Sequence, residues 1–88
     1  MSFDPGFELQ VRECAALFRL GRDVEAALHM VAVFDGLLKA LPDCPPDVAR
    51  QCPVVMSALL HAQERQDWLG LADTLEVDLL QLLAQEGA

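Results

Sequence analysis

Residues 23–41, DVEAALHMVAVFDGLLKAL, predict one long helix that is apolar around much of its circumference, and the rest of the chain must pack around this helix. Wound at 3.6 residues per turn, its apolar side chains cover roughly 200° of the helix. The centre of that arc holds Phe34, Ala27 and Leu41. Its two edges are formed by Val24, Val31 and Leu38 and by Met30, Val33 and Leu37. Such a helix needs neighbours on two sides, so the sequence predicts a small helical module that associates with itself or with another protein.

Proline, glycine and aspartate residues divide the chain into four predicted helices, at about 5–20, 22–41, 46–65 and 67–85. Gly21 ends the first helix as a left-handed cap, and Asp67 is the predicted N-cap of the fourth. Residues 42–46 include three prolines and form the one substantial loop. Pro53 lies inside the third helix, where we expect a kink or a break. The predicted fold class is all-α, an antiparallel four-helix arrangement of two helical hairpins in a single domain of residues 1–88.

Size and composition fit one small domain whose core is near the lower limit for independent stability. The chain has 88 residues, of which 53% are hydrophobic, too many for an intrinsically disordered protein. A core of this size rarely supplies more than about 3–5 kcal/mol, and oligomerisation is a common supplement. We therefore expect a homodimer or a module that binds another protein.

Charge and cysteine content limit the classes of partner and the cellular compartment that we expect. The formal net charge is −8, from 14 acidic and 6 basic residues. Phosphate backbones and anionic lipids repel such a chain, which argues against nucleic acid or a membrane surface as its partner. No apolar run approaches the length of a membrane span, and the first residues lack the features of a signal peptide. With three cysteines and no CxxC pair, the sequence predicts free thiols in a cytoplasmic protein.

Catalytic and metal-binding patterns are weak, and we expect neither enzymatic activity nor a cofactor. A metal site needs several converging ligands, and Cys44, Cys52 and His61 do not have a spacing typical of zinc sites. The chain has no Ser–His–acid pattern and no glycine-rich loop that would hold phosphate. A small metal-binding protein or enzyme is therefore the most remote alternative.

Apolar residues outside the expected core give a better indication of function. In helix four, Leu69 and Leu80 lie beside the main apolar line, and Asp73 and Glu76 flank them; these four residues form a hypothetical protein-binding patch. Further apolar lines on helices one and two are candidate self-association edges, and they comprise Leu9, Leu20, Met30, Val33 and Leu37. Three such lines on a short chain indicate an interface with a second copy or with a partner's amphipathic helix.

One segment of the chain, Ala62-Gln63-Glu64-Arg65-Gln66-Asp67-Trp68-Leu69-Gly70-Leu71, resembles a segment of the FliT-type chaperones of flagellar type III export. These small bacterial helical proteins carry an Ala-Gln pair, then an acidic residue followed by Trp, then leucines that open a helix. The resemblance implies a chaperone that holds an export subunit. It matches only Trp68 and the leucines around it.

The first functional hypothesis is a non-enzymatic protein-binding module of the chaperone or adaptor type. The alternative is a homodimer with a structural or regulatory role and no separate client. The fold itself makes one further prediction, that Trp68 is substantially buried at the junction of helices three and four.

Overall fold

A computed structural model describes the backbone of residues 5–87 and the side chains of residues 6–84. Four helices account for most of this part of the chain, and no strand occurs in it, which confirms the all-α fold class. The first three helices are α1 (Pro5–Arg19), α2 (Asp23–Ala40) and α3 (Pro46–Glu64). The fourth, α4, joins an α-helical segment (Trp68–Asp73), a π-helical segment (Thr74–Leu79) and a second α-helical segment (Leu80–Gly87).

The helices form two antiparallel hairpins that pack through α1 and α4. Helix α2 packs on α1, α1 packs on α4, and α3 packs on α4, whereas α2 and α3 approach each other less closely. The buried apolar residues of all four helices belong to one core. The predicted core line of α1 is confirmed and comprises Phe7, Val11, Cys14, Ala15 and Phe18. Helix α2 is thus held mainly by a single neighbour.

The two hairpin turns end their helices in the same way but with different residues. Gly21 has a φ of 75°. The backbone hydrogen bonds from Gly21 N to Phe18 O and from Arg22 N to Leu17 O form a Schellman motif. The turn after α3 repeats this pattern with Gln66, whose φ is 56°. The prediction of a left-handed cap at Gly21 is therefore confirmed.

The start of α4 is capped as the sequence predicts. A side-chain oxygen of Asp67 accepts a hydrogen bond of 3.0 Å from the backbone N–H of Gly70. Because Gly70 has no Cβ, this carboxylate has room to fold over the first turn. The cap fixes the direction in which α4 leaves the turn.

The proline-rich connection forms a short 3₁₀ turn over Leu41–Asp43, and Pro46 is the first residue of α3. Helix α3 then runs without a break through Pro53, so the expectation of a break there is wrong. Proline removes one backbone donor, but the helix face around Cys52 and Leu59 is buried in the core. Tertiary packing therefore keeps the helix continuous.

Trp68 is largely covered and packs against the core where the turn after α3 leads into α4, as the sequence predicts. Its ring stacks on that of Phe18, with 5.6 Å between the ring centroids and 17° between the planes. The ring lies against the core, and Trp68 is the first residue of α4. It ties the start of α4 to the end of α1.

Candidate protein-binding surface

The orientation of α2 determines which apolar residues remain at the surface. The buried residues of this helix are Ala26, Met30, Val33 and Leu37. The suggestion that Met30, Val33 and Leu37 form a self-association edge is therefore wrong for this fold, since these side chains are between 0% and 4% exposed. They are the core-facing edge of the helix.

The opposite side of α2 is apolar and exposed. Its members, which we call the α2 surface, are Val24 at 72% exposure, Leu28 at 69%, Val31 at 68% and Leu38 at 56%. Their spacing of four, three and seven residues keeps all of them along one line of the helix. A helix face turned to solvent is normally polar, so this line needs an explanation.

A groove adjoins the α2 surface where α2 and α3 diverge. It has a volume of about 190 Å³ and is lined by Ala27, Met30, Val31, Phe34, Leu60 and Gln63. Phe34 is partly buried against the core, and Leu60 of α3 is 46% exposed. Because Val31 belongs to both features, the groove extends the α2 surface towards α3.

Charged residues in and next to α2 lie beside or within its apolar line, near both ends of the helix. Near the start of the helix, Glu25 pairs with Arg22 at 3.2 Å, and near its end Lys39 pairs with Asp35 at 3.0 Å. All four side chains are more than half exposed. Exposed pairs of this kind are weak, so their side chains are free to take other partners.

The patch that the sequence suggests on α4 is only partly available. Leu69 is 62% exposed, whereas Leu80 packs against the core. The π-helical segment holds more residues per turn than an α-helix, which rotates the residues after it about the helix axis and accounts for the position of Leu80.

The carboxylates of that patch already have a partner within the chain. Arg19 of α1 donates from Nε to Glu76 at 2.6 Å and from Nη2 to Asp73 at 2.7 Å. Both hydrogen bonds raise the pKa of the Arg19 guanidinium, and the one to Asp73 has the larger effect. The acidic side chains therefore join α1 to α4.

The apolar residues suggested on α1 are exposed but separate. Leu9 is 56% exposed and lies in the first half of α1, while Leu20 is 71% exposed and follows its last residue. They are about three helical turns apart along the helix, so they do not form one patch.

Among the residues that the structure describes, no group of three or more His, Cys, Asp or Glu side chains is placed to hold a metal ion. His29 and His61 are both exposed, on different helices. Cys14 and Cys52 are buried, and burial raises the pKa of the Cys14 thiol from 9.0 to about 12. That thiol donates to the carbonyl oxygen of Ala26 at 3.5 Å, a contact that joins α1 to α2. Such a protonated, enclosed thiol is unsuited to act as a nucleophile.

No helix in the described part of the chain has both the length and the apolar character needed to cross a bilayer. Comparison with known proteins adds no relative, since no family model, curated protein or solved structure matches the chain. The assignment of function therefore rests on the exposed apolar residues themselves.

Sequence reasoning recognised the apolar arc of α2 but chose the wrong edge as the exposed one. A usable signal was the distribution of small residues, since Ala26 lies on the core-facing edge and Gly36 lies beside it. A Cβ on Gly36 would lie 2.5 Å from Cε1 of Phe7, so glycine at this position lets α1 approach α2 closely.

Proposed function

We propose that this chain is a cytoplasmic, non-enzymatic protein-binding module whose α2 surface receives a helix of a partner protein. The observation that carries the proposal is the line of four large apolar side chains, each 56% to 72% exposed, which only Asp35 interrupts. Single exposed leucines are ordinary, but a contiguous apolar line on a solvent-facing helix is typical of an interface.

A helical partner fits this surface better than an extended peptide. Apolar side chains at intervals of three and four residues match the ridges of a facing helix, and the line runs along about four turns. The groove beside Phe34 and Leu60 provides a second wall for the same occupant. Residues of α2 outside the line, such as Glu25 and Lys39, supply a charged rim.

A role as an export chaperone or adaptor is a second candidate, favoured by the resemblance of residues 62–71 to FliT-type chaperones. In that case Leu69, which is 62% exposed, is the large apolar residue of the segment that a client can contact. Trp68 has a packing role, because its ring stacks on Phe18. If a client binds through α4, we expect Leu69→Glu to abolish its binding and substitutions in the α2 surface to leave its affinity unchanged.

Site-specific photo-cross-linking in the producing cells tests the first candidate. One variant carries benzoylphenylalanine in place of Val31 and the other in place of Val54, which is 69% exposed on α3 and serves as the matched control. We expect discrete protein adducts only from position 31, whatever the mass of the partner. Absence of adducts at position 31, or the same adducts at both positions, would contradict the proposal.

A further inference from the structure

We infer that the helix received by the α2 surface is α2 of a second copy, packed antiparallel about a two-fold axis. This inference rests on the proposed function and specifies its partner. Two features of the structure carry it, namely the spacing of the apolar residues and the charges on either side of them.

The apolar spacing of α2 is that of a coiled-coil seam. Val24, Leu28, Val31 and Leu38 occupy a/d positions of a heptad pattern, and Asp35 takes the remaining one. A seam of this kind is complementary to another copy of itself, which is the requirement for an isologous contact. Asp35 is 60% exposed and holds an ion pair with Lys39, so its charge is compensated within each copy. One polar residue in an apolar seam helps to set the register of the two helices.

The charges favour the antiparallel direction. Glu25 and Lys39 are two heptads apart and therefore lie on the same side of the seam. In an antiparallel pair these positions face each other across the seam, so each Lys39 faces Glu25 of the other copy, whereas a parallel pair sets Lys39 opposite the apolar Phe34. The helix dipoles also oppose each other favourably in the antiparallel arrangement.

Electrostatic repulsion between two acidic copies is small at this face. The net charge of the chain is −8, yet between Arg22 and Ala40 the two basic residues (Arg22 and Lys39) offset two of the three acidic ones. The strongly acidic helix α4 packs on α1 and makes little contact with α2. Pairing through α2 therefore keeps the acidic surfaces of the two copies apart.

The available area suits a weak dimer. Covering the α2 surface and its flanks on both copies buries on the order of 1,000 Å² in total, which is at the low end for a specific interface. The α2–α3 groove lies alongside, so Phe34 and Leu60 border the contact. We expect reversible dimerisation at micromolar concentrations.

Sedimentation equilibrium of the full chain, with a pair of matched variants, tests the contact. Val31 is 68% exposed and Val54 is 69% exposed, so neither Val31→Glu nor Val54→Glu disturbs the core. We expect Val31→Glu to weaken dimerisation about 100-fold or more, because one carboxylate from each copy enters the seam. We expect Val54→Glu to leave the dissociation constant within about twofold of the unchanged protein.

Charge exchange tests the direction of the pair. Glu25→Lys or Lys39→Glu alone should each weaken dimerisation about tenfold, since like charges then meet across the interface. In the double variant, and in an equimolar mixture of the two single variants, opposite charges meet again across the interface, so both should dimerise more tightly than either single variant alone. The pairs within each helix, Arg22 with Glu25 and Asp35 with Lys39, are not restored by the double change. Recovery therefore reports contacts between copies.

A wild-type chain that stays monomeric at 100 µM (about a hundred times a micromolar dissociation constant) would overturn the inference. So would a dimer that Val31→Glu leaves intact, or one in which the double variant dimerises no more tightly than the single variants. The proposed function fails separately. If position 31 cross-links only to a different protein, the α2 surface binds protein but its partner is not a second copy.

Discussion

At the scale of single residues, the two hairpin turns show what sequence reasoning recovers. Gly21 was predictable as a left-handed cap because glycine adopts positive φ without steric cost. Gln66 performs the same role with a φ of 56°, and nothing in its residue type indicates this conformation. A sequence pattern therefore predicts a left-handed cap when the residue is a glycine. It misses one that the packing of the flanking helices imposes on another residue type.

Replacing Gln66 by glycine should therefore stabilise the protein. The left-handed conformation costs a residue with a Cβ about 1–2 kcal/mol, and part of this gain is lost to the greater freedom of glycine in the unfolded chain. We expect Gln66→Gly to raise the free energy of unfolding by about 0.5–1 kcal/mol in urea denaturation.

Gly21→Ala is the matched control, since a Cβ at Gly21 would meet nothing within 4 Å and only its φ of 75° is unfavourable. We expect it to lower the free energy of unfolding by about 1 kcal/mol. A loss of stability on Gln66→Gly would show that its side chain contributes more than its backbone conformation costs.

Cys14 makes stability depend on pH in the alkaline range. Burial raises the pKa of its thiol from 9.0 to about 12, so the folded chain retains a proton that the unfolded chain releases. The contribution is fully present below pH 9 and is lost as the pH rises towards 12. We expect the free energy of unfolding to fall as the pH rises from 9 towards 12, measured by urea denaturation under reducing conditions.

The Cys14→Ala variant checks the assignment of this pH dependence. It should be less stable at neutral pH because a buried group is removed, but its stability should fall less steeply with pH. Burial also raises the pKa of Cys52, so part of the slope should remain. An unchanged slope in Cys14→Ala would exclude Cys14 as a source.

At the scale of elements, α1, α3 and α4 were largely predictable and the orientation of α2 was not. The apolar line of α1 has one clear centre, whereas α2 has two apolar edges that differ little in hydrophobicity. Which edge meets α1 depends on close approach at Gly36 and on the contact from Cys14 to Ala26. The small residues Ala26 and Gly36 indicate this edge in the sequence, but only the tertiary structure shows their contacts. The packing of Leu80 against the core was equally hard to predict, since Leu80 directly follows a π-helical segment.

Two adjacent leucines of α2 test its orientation. Leu37 is fully buried and Leu38 is 56% exposed. We expect Leu37→Ala to cost about 2–5 kcal/mol of unfolding free energy, as is usual for a buried leucine. Leu38→Ala should change it by less than about 0.5 kcal/mol at protein concentrations low enough to remove any contribution from association.

Equal costs for the two variants, or a larger cost for Leu38→Ala, would mean that α2 is rotated about its axis. In that case Val24, Val31 and Leu38 belong to the core, and the proposed surface does not exist. Denaturant unfolding of both variants, monitored by circular dichroism at several protein concentrations, distinguishes the described orientation of α2 from a rotated one.

At the scale of the whole molecule, the layered packing accounts for the exposed apolar residues. Helix α2 has α1 as its principal neighbour, and α3 stays far enough away to leave a groove. The sequence indicated correctly that α2 carries more apolar surface than one copy of the chain covers well. The sequence did not by itself place the exposed apolar surface of α2, because the position of this surface depends on how the helices are arranged around α1.

The central claim is that Val33 and Leu37 face the core while Val31 and Leu38 face a protein partner, which we infer to be a second copy. Methyl NMR with a soluble paramagnetic agent measures the exposure of all four side chains in one sample. We predict that the agent leaves Val33 and Leu37 unaffected at every protein concentration. It should broaden the Val31 and Leu38 methyl signals in dilute samples, and this broadening should diminish as the concentration rises and dimers form. Protection of Val31 and Leu38 in the dilute monomer, with broadening of Val33 and Leu37, would contradict the account.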